Sequence, residues 1–435
     1  MSLFLAKPQR FLVRPASGWL DVTKKEVEVI LKNPLQKYKF LPEIRSAGGV
    51  FTISNCDFRQ AMELTLRVST CYDIEWVLHS GRISTRAGWS DFFYKAKLDR
   101  LWSHLNTPQI QAAVSVSHPV VGTSKDVRSK LVGFLGIHGV RVPASEEHVK
   151  IDGRMRIDCE KNRTQILLSM GGEPLYHRHY KASLSAAVAP LAEHHAASCF
   201  EWALKVLGDT TRQSLKSGQI PLVVPFAGSG TLGFEGICRV LSVPPGVFRK
   251  QYGFERFSFS PEKTTSTIRS RLSIPLSPGR MKVVFGDIDS GACAVVRENT
   301  GPFKAMLEGG VTLARTIDVT SFAPDVSCLQ CDFLRDPVAM LSGFDDVFLA
   351  LNPPYGERLA KKTGGLALYE KLGKVLKHMA NARGVQGFIL CGDEPSWRVL
   401  LSSFGSFKHT TTHFTHGGID IRVVVFSSRK AFATR

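Results

Sequence analysis

The second half of the chain alternates short apolar runs with longer amphipathic stretches, and this alternation constrains the fold more than any other feature. From Pro190 onward, runs such as "PLVV" and "DDVFLALN" have the length and apolar character of strands buried on both faces. Buried strands separated by helices are typical of a doubly wound parallel sheet. The sequence therefore predicts an α/β domain with a Rossmann-like, mostly parallel sheet.

The elements of this predicted sheet can be placed along the chain. A helix is predicted over "LAEHHAASCFEWALKVL", ahead of the first strand. The strands are predicted at "PLVV", "MKVVFGDID", "VSCLQCDF", "DDVFLALN", "VQGFILCG" and, as a last antiparallel strand, "GGIDIRVVVF". Residues 242–280 are rich in proline and aromatic residues, and we interpret them as an insertion packed on the sheet.

The first half of the chain has a different, α+β character. Its elements are predicted as strands at "GGVFTIS" and "YDIEWVL", helices at "FRQAMELTLRV" and "KDVRSKLVGFLGI", and a closing hairpin at "MRIDCE" and "TQILLSM". The predicted domain bounds are 1–48 for an N-terminal part, 49–175 for a second α+β part, 176–190 for a junction and 191–435 for the α/β domain.

The charge of the chain indicates a polyanionic partner. The chain has 56 Lys and Arg against 38 Asp and Glu, a formal net charge of +18. Binding of phosphates by such a protein releases counterions and thereby drives association with nucleic acid. No apolar stretch approaches the roughly 18 residues of a spanning helix, so a membrane partner is not expected.

The compartment is only partly indicated. Nine scattered cysteines suit a reducing, intracellular compartment better than a disulfide framework. Cys328 and Cys331 form the one C-x-x-C, which favours two buried strand thiols over a zinc site, and no metal is expected. The first residues carry no acid before Asp21, as in a mitochondrial transit peptide, yet "FLVR" and "VTKKEVEVILK" also predict a strand and a helix. The mitochondrial matrix and the cytoplasm both remain open.

A glycine pattern follows the first strand of the α/β domain. Gly228, Gly230 and Gly233 satisfy G-x-G-x-x-G at a predicted strand-to-helix turn. Glycines there allow a tight turn against a nucleotide-like ligand, whose polar groups meet the helix N-terminus. The pattern fits a structural turn equally well. Glu255 has the spacing of a dinucleotide-binding acid, but it lies in the insertion and does not end a strand.

Acidic residues end the next two predicted strands. Asp287 ends the second strand, where its carboxylate can bind both ribose hydroxyls, whereas Asp289 is more typical of a helix cap. Asp332 ends the third strand, where it can accept a hydrogen bond from an adenine amine while Phe333 lines the ring. Taken together, these residues predict an adenosine-containing ligand in the crevice at the strand ends.

The motif "NPPY", Asn352 to Tyr355, follows the fourth strand and faces the same crevice. Tyr355 can stack on a planar base, while the Asn352 side-chain oxygen and the Pro353 carbonyl can accept the hydrogens of an exocyclic amine. Methyl transfer from a sulfonium to such an amine requires in-line placement more than a strong base. The motif therefore predicts a site for amine methylation.

These residues resemble the class I S-adenosylmethionine-dependent methyltransferases that methylate amines. More narrowly, the chain resembles the THUMP-domain large-subunit rRNA guanine N2-methyltransferases, matching the methyltransferase half of the bacterial bifunctional enzyme. The segments that carry the likeness are "GGVFTISNCDFRQAMELTLRVSTCYDIEWVL", "SKDVRSKLVGFLGI", "GGEPLYHRHYK", "APLAEHHAA", "PPGVFRKQYGFERF", "NPPYGERL" and "GGIDIRVVVF". The resemblance implies a seven-stranded methyltransferase sheet in 191–435, a ferredoxin-like part in 1–48 and a THUMP RNA-binding domain in 49–175.

The resemblance also implies roles for individual residues. S-adenosylmethionine would be bound by Pro225, Phe226, Ala227, Gly228, Gly230, Thr231, Asp287, Ile288, Asp332, Phe333 and Asn352. The target base would be held by Asn352, Pro353, Pro354 and Tyr355. The partner would be structured RNA, most readily large-subunit rRNA or a pre-ribosomal particle, contacted by Lys125, Arg128, Lys130, His177, Arg178 and Lys181.

Three positions depart from the family pattern. Val224 stands where the family usually has an acid before Pro-Phe, Ala227 where a cysteine is frequent, and Ala192 where a basic residue is common. The missing carboxylate removes a polar anchor near the methionine end of the cofactor.

These observations leave several hypotheses. The first is a methyltransferase acting on guanine N2 of large-subunit rRNA. The second is a weakly active or inactive assembly factor of the large ribosomal subunit, and a tRNA guanine N2-methyltransferase is a further alternative. A nicotinamide dehydrogenase would explain neither Asn352 nor the basic charge.

Overall fold

A computed structural model describes residues 7–143, 151–160, 163–181, 190–259, 262–272, 280–312, 324–355 and 362–429. The chain divides into two compact units. Unit 1 has the bounds Met1–Pro15, Lys24–His177 and Arg249–Arg271, and unit 2 has the bounds Ala16–Thr23, Arg178–Phe248 and Leu272–Arg435.

The helices are numbered in chain order. They are α1 (Leu20–Lys32), α2 (Phe58–Arg67), α3 (Trp89–Lys95), α4 (Ser124–Ile137), α5 (Glu193–Leu207), α6 (Asp209–Ser217), α7 (Thr231–Val240), α8 (Glu262–Arg271), α9 (Ser290–Thr312), α10 (Val338–Leu341), α11 (Lys362–Ala382) and α12 (Glu394–Phe404). Short 3-10 segments lie at Arg86–Gly88, Pro119–Val121, Pro245–Val247 and Gly253–Arg256.

Unit 1 contains one seven-stranded sheet with the order β2-β3-β1-β4-β7-β6-β5. Its strands are β1 (Gln9–Pro15), β2 (Glu43–Ala47), β3 (Val50–Cys56), β4 (Cys71–Gly81), β5 (Ile110–Val116), β6 (Gly153–Glu160) and β7 (Arg163–Ser169). β5 and β6 are parallel, and every other neighbouring pair is antiparallel. The predicted strands and helices of the first half are confirmed, whereas β2, β5 and α3 were not predicted.

The division of unit 1 differs from the sequence prediction. The predicted boundary between residues 48 and 49 falls inside the β2–β3 hairpin, in which Ala47 pairs with Val50. β1 is hydrogen-bonded to both β3 and β4. Residues 1–48 therefore do not form a separate part, because their first strand lies inside the sheet built by the residues that follow.

The central part of the predicted insertion also belongs to unit 1. We expected residues 242–280 to pack on the α/β sheet, but Arg249–Arg271 clusters with unit 1. The reason is aromatic packing: the Phe259 ring centroid lies 5.3 Å from that of Phe58 and 5.6 Å from that of Trp76. Part of this predicted segment, residues 260–261 and 273–279, lies outside the described residues.

Unit 2 contains the predicted seven-stranded sheet, with the order β10-β9-β8-β11-β12-β14-β13. Its strands are β8 (Leu222–Val224), β9 (Lys282–Asp287), β10 (Asp325–Gln330), β11 (Asp346–Leu351), β12 (Gly384–Cys391), β13 (Lys408–His416) and β14 (Ile419–Ser427). β8 to β12 pair in parallel, and β14 is antiparallel to both β12 and β13. The six predicted strands are confirmed, and β13 is an additional edge strand.

The strand order of unit 2 creates a crevice beside β8. The chain adds β9 and β10 on one side of β8 and then crosses to place β11 on the other side. At such a reversal, the loops after the two neighbouring strands diverge and leave room for a ligand at the carboxyl ends. The turn after β8 and the "NPPY" motif after β11 lie at this reversal.

Three further findings concern the whole chain. β1 and α1 confirm the strand-and-helix interpretation of the N-terminal sequence from Gln9 onward, while residues 1–6 lie outside the described residues. In the described part of the chain, no helix is long and apolar enough to cross a membrane. All nine cysteines are free thiols, and Cys328 and Cys331 are partly rather than fully buried.

A buried carboxyl group makes the stability of unit 1 depend on pH. Asp73 is 2 % exposed, accepts hydrogen bonds from Ile74 N and Ser169 Oγ, both at 2.9 Å, and burial raises its pKa to about 7. A raised carboxyl pKa means that the folded state holds the proton more strongly than the unfolded state. Stability is therefore lost as pH rises from about 4 towards 7.

We expect Asp73→Asn to remove this loss, because an amide keeps the acceptor oxygen without the charge. At pH 8 the variant should be more stable than the wild-type protein by about 1 kcal/mol or more, since each pKa unit corresponds to about 1.4 kcal/mol. Hydrogen exchange of peptides from β4 and β7 at pH 5 and pH 8 measures the effect. An equal pH dependence in both proteins would contradict it.

Candidate active site

A cavity of about 590 Å³ opens at the carboxyl edge of the unit 2 sheet, beside β8. This volume lies within the range of pockets that enclose small-molecule ligands. The cavity is lined by Pro190, Leu191, Pro225, Phe226, Ala227, Gly228, Ser229, Thr231, Leu232, Asp287, Ile288, Asp289, Ala292, Cys331, Asp332, Phe333, Leu334, Asn352, Pro354 and Leu368. The turn after β8 and the ends of β9, β10 and β11 thus contribute to one cavity.

The glycine turn forms the wall next to α7. Gly230 is the N-cap of this helix with φ +84°, a left-handed conformation that glycine adopts without steric cost. A β-carbon there would also lie 2.6 Å from the Phe234 ring. Ala227 N donates to Gly286 O at 2.9 Å, which ties the turn to β9. The N-terminus of α7, with Thr231, therefore faces the cavity.

The third glycine of the pattern has a packing role. Gly233 lies on the face of α7 that meets β9, and a β-carbon at this position would overlap the Phe285 ring. Gly233 does not line the cavity. Its function is to let the helix approach the sheet closely, which is the usual role of the last glycine in this pattern.

Asp287 closes the glycine turn from the neighbouring strand. Its Oδ2 accepts from Gly228 N at 3.0 Å and its Oδ1 accepts from Asp289 N at 3.1 Å. Each carboxylate oxygen can accept a second hydrogen bond, so the group can still bind a ligand hydroxyl. Asp289 Oδ1 accepts from Gly291 N at 2.8 Å, which confirms its prediction as the cap of α9.

The next strand supplies an apolar wall with an acid at its rim. Phe333 is 2 % exposed, and its ring meets that of Phe226 edge-on at 6.3 Å between centroids. Asp332 is partly exposed, and its Oδ1 accepts from Leu334 N at 3.0 Å. Burial, with neighbouring acidic groups, raises the pKa of the Cys331 thiol, which therefore stays protonated at neutral pH.

Asn352 is the most informative residue of the cavity. Its side-chain Oδ1 is buried, and no described donor lies within hydrogen-bonding distance of it. A buried acceptor without a partner costs free energy, so its retention requires a compensating role. Because Asn352 lines the cavity, its oxygen can accept a hydrogen bond from a ligand.

The rest of the motif surrounds Asn352. Pro354 lines the cavity, whereas Pro353 and Tyr355 do not. Tyr355 is partly buried and packs on Gly392, where a β-carbon would lie 2.6 Å from the Tyr355 Cβ and 2.8 Å from its Cγ. The absence of a side chain at residue 392 thus makes room for the tyrosine. Residues 356–359 of "NPPYGERL" lie outside the described residues.

The predicted cofactor residues come together in this cavity, and every one of them except Gly230 lines it. Sequence reasoning missed the wall contributed by helices. Pro190 and Leu191 line the cavity ahead of α5, and Leu368 does so from α11. Their contribution depends on tertiary packing of helices on the sheet, for which the local sequence carries no specific signal.

The Val224 side chain points away from the cavity. It is fully buried in an apolar cluster that includes Phe234 and Phe285. Val224 does not line the cavity. In this chain the position is therefore part of the core between β8 and α7.

The predicted RNA contacts fall into two groups. Lys125, Lys130 and His177 are exposed, although the Lys130 ammonium donates to Arg86 O and His177 lies 3.5 Å from the Glu173 carboxylate. Arg128 is half-buried, and its guanidinium donates to Ala112 O.

Two of the predicted RNA contacts are wrong. The Arg178 side chain is 2 % exposed, with Nε 3.4 Å from Glu235 Oε1. The Lys181 side chain is 7 % exposed, with Nζ 2.6 Å from Glu193 Oε1. Both cations are enclosed within unit 2 and ion-paired there, so neither offers its charge to a phosphate.

Within the described ranges, no group of three or more His, Cys, Asp and Glu side chains is arranged to hold a metal ion.

Comparison with known proteins adds sequence relatives. No family model matches the chain. The chain is 25 % identical over 285 residues to the ribosomal RNA large subunit methyltransferase K/L of Pseudoalteromonas atlantica, a match that covers 65 % of this chain and 34 % of the relative. It is 30 % identical over 234 residues to the protein of the same name from Shewanella sediminis, covering 52 % and 28 %. The expected resemblance is confirmed. The chain spans about a third of the length of these curated relatives.

Solved structures match the fold over nearly the whole chain. SMU.472, described as a methyltransferase complexed with SAH, matches with a TM-score of 0.66 at 17 % identity and covers 98 % of this chain and 99 % of its own. TrmN from Thermus thermophilus matches with a TM-score of 0.58 at 17 % identity, covering 96 % and 99 %. The predicted fold class, a Rossmann-like class I methyltransferase domain preceded by an α+β domain, is confirmed.

We expect Gly233→Ala to destabilise unit 2 by about 1–3 kcal/mol, because the added methyl overlaps the Phe285 ring and overpacks a close helix–sheet contact. Thermal unfolding measures the loss. Gly133→Ala is the matched control: this glycine is exposed in α4 and, apart from its chain neighbours and its own helix backbone, no described atom lies within 4 Å of its missing β-carbon. The control should be as stable as the wild-type protein or slightly more so. Equal effects of the two substitutions would contradict the packing role.

Proposed function

We propose that this protein is an S-adenosylmethionine-dependent RNA methyltransferase that modifies the exocyclic amine of guanine, N2, in large-subunit rRNA. The observation that carries the proposal is the buried Asn352 oxygen, which has no hydrogen-bond partner among the described residues and lines the same cavity as Asp287 and Asp332. The cavity thus combines the residues expected at an adenosine ligand with a buried acceptor suited to an amine.

The residues at the cavity fit S-adenosylmethionine, which supplies an electrophilic methyl group on its sulfonium. Asp287 offers acceptors for the ribose hydroxyls, and its position is fixed by the backbone of Gly228. Phe333 and Ile288 provide apolar walls for the adenine, and Asp332 provides an acceptor at the rim. The solved complex of SMU.472 with SAH, in the same fold, supports this choice of ligand.

The target base would be held by the "NPPY" motif beside the cavity, to whose lining Asn352 and Pro354 contribute. The Asn352 Oδ1 and the Pro353 carbonyl accept the two hydrogens of the amine, which directs the nitrogen lone pair out of the base plane towards the methyl group. Tyr355, which packs on Gly392 outside the cavity lining, would supply a ring on which the base stacks next to the cavity. Catalysis by these residues is mainly orientation, because an aligned amine needs no strong base before attack.

The RNA would be engaged by other parts of the chain. The net charge of +18 favours a polyanion, and the relatives are named as ribosomal RNA large subunit methyltransferases. Lys125, Lys130 and His177 remain the proposed contacts of the THUMP domain and junction, together with Arg128. Since a guanine amine in paired RNA is engaged or shielded, the nucleotide would have to be unpaired or flipped into the site.

A second function, an assembly factor that binds rRNA with little or no turnover, is favoured by one observation. Val224 is buried in the apolar core, so the position at which the family carries an acid offers no carboxylate to the cofactor. The retained Asn352 acceptor favours catalysis over this alternative.

We expect Asn352→Ala to lower kcat/KM for RNA methylation by about 100-fold or more while RNA affinity stays within about twofold. The substitution removes an acceptor that positions the amine, and misplacement of reacting atoms has large effects on rate. Transfer of a labelled methyl group and filter binding of the RNA measure the two quantities. Unchanged turnover would remove the catalytic assignment.

Tyr355 provides a second test of the base site. Tyr355→Phe keeps the ring and should retain most of the activity, whereas Tyr355→Ala should lose about tenfold or more, since stacking of a base on an aromatic ring contributes about 1–3 kcal/mol. The measurement is KM and kcat for RNA under saturating methyl donor. A phenylalanine variant as defective as the alanine variant would contradict the stacking role.

Two experiments separate the proposed functions. Calorimetry with S-adenosylmethionine, with and without rRNA fragments, should show binding, and no heat under either condition would favour the assembly factor. Mass spectrometry of nucleosides from cells with and without the protein should show the loss of N2-methylguanosine from large-subunit rRNA. If N2-methylguanosine were lost only from tRNA, the protein would be a tRNA guanine N2-methyltransferase instead.

A further inference from the structure

A buried lysine stands behind the wall of the cavity. Lys181 was predicted to contact RNA, but its ammonium lies 2.6 Å from Glu193 Oε1 and donates to Thr231 Oγ1 at 3.1 Å. The side chain of Lys181 is 7 % exposed and that of Glu193 is 9 % exposed. A charge pair removed from water to this extent costs desolvation free energy, so its position next to the cavity requires an explanation.

Hydroxyl groups connect this charge pair to the cavity. Thr231, at the first position of α7, and Ser229, in the glycine turn, both line the cavity. Their hydroxyl oxygens lie 3.1 Å apart. A continuous series of short contacts therefore runs from Glu193 through Lys181 and Thr231 to Ser229.

The direction of hydrogen bonding in this series follows from the charge of lysine. An ammonium group can only donate, so Thr231 Oγ1 is the acceptor of its bond with Lys181. The threonine proton is then available to Ser229 or to a ligand, and the serine proton in turn can be directed into the cavity. A charge-assisted bond at the start of the series strengthens the bonds that follow. The wall consequently presents polarised donors beside the N-terminus of α7, which itself favours an anionic group.

The carboxylate of the pair adds the opposite charge. Glu193 lies in the first turn of α5, two residues beyond Leu191, which lines the cavity. The wall is thus backed by one cation and one anion in contact. A zwitterion with an ammonium and a carboxylate on the same carbon is the ligand chemistry that such a pair complements.

We propose that the Lys181–Glu193 pair, acting through Thr231 and Ser229, positions the amino-acid end of the cofactor. The proposal rests on the function proposed above, because S-adenosylmethionine carries its zwitterion on the methionine moiety. Lys181 is a positioning residue in this arrangement, since it reaches the ligand through hydroxyl groups. The pair supplies charge near the methionine end in a chain that has Val224 in place of the usual acid.

The test compares two ligands that differ in the zwitterion. S-adenosylhomocysteine carries the amino-acid end, and 5′-methylthioadenosine lacks it but keeps the adenosine and the sulfur. Calorimetry of the full-length protein measures both affinities. Lys181→Met should lower the affinity for S-adenosylhomocysteine about tenfold or more and change the affinity for methylthioadenosine by less than about threefold. Loss of one charge-assisted contact has this size.

Further variants test whether misfolding explains a loss of affinity, because Lys181→Met leaves the Glu193 charge buried without its partner. The double variant Lys181→Met, Glu193→Gln removes both charges and should give the same selective loss. Thr231→Val keeps the ion pair and the side-chain shape but interrupts the hydroxyl series, and it should also weaken only S-adenosylhomocysteine. Lys205→Met, an exposed position on α5, is the control for loss of a positive charge and should change neither affinity.

The outcomes are distinguishable. If the double variant and Thr231→Val lost affinity equally for both ligands, the pair would have a merely structural role and the inference would be overturned. Unchanged binding of S-adenosylhomocysteine in both would overturn it as well. A wild-type protein that binds neither ligand would overturn the proposed function itself, and the inference with it.

Discussion

The parallel pairing of β8 with β9 on one side and β11 on the other is the constraint on which the site depends. β8 has only three residues, all buried, and its partners are in register over Leu222 and Val223 on both sides. This pairing brings the glycine turn, Asp287 and Asn352 to one edge of the sheet. The hydrogen bond from Gly228 N to Asp287 then fixes the turn against β9, so the ligand-facing backbone is set before any ligand is bound.

Much of the site could be predicted because its residues occur at strand ends, and strand ends are visible in an apolar pattern. The same reasoning identified Asp287, Asp332 and Asn352 without any knowledge of contacts. It failed where the partner is distant in sequence. From the sequence, Arg178 is indistinguishable from a surface cation. Its carboxylate partner, Glu235, lies in α7, and the junction sequence does not indicate this contact. The 48/49 boundary failed for a related reason, since only the sheet order shows that β1 lies between β3 and β4.

The junction sequence "HRHYK" acquires a structural meaning in unit 2. Tyr180 Oη donates to Glu235 Oε1 at 3.0 Å, beside the Arg178 contact, and burial raises the pKa of both groups. Lys181 contacts Thr231 at the start of the same helix. Three side chains of one short segment, Arg178, Tyr180 and Lys181, therefore contact α7, the helix that follows the glycine turn.

The assignment of Arg249–Arg271 to unit 1 has a consequence for how the protein is made. During synthesis, β8 and α7 leave the ribosome before Phe257 and Phe259, whose ring partners Phe58 and Trp76 emerged much earlier. The aromatic core of unit 1 therefore cannot be completed until the residues of β8 and α7, which belong to unit 2, have been synthesised. Because segments of the two units alternate along the chain, no single proteolytic cut separates one complete unit from the other.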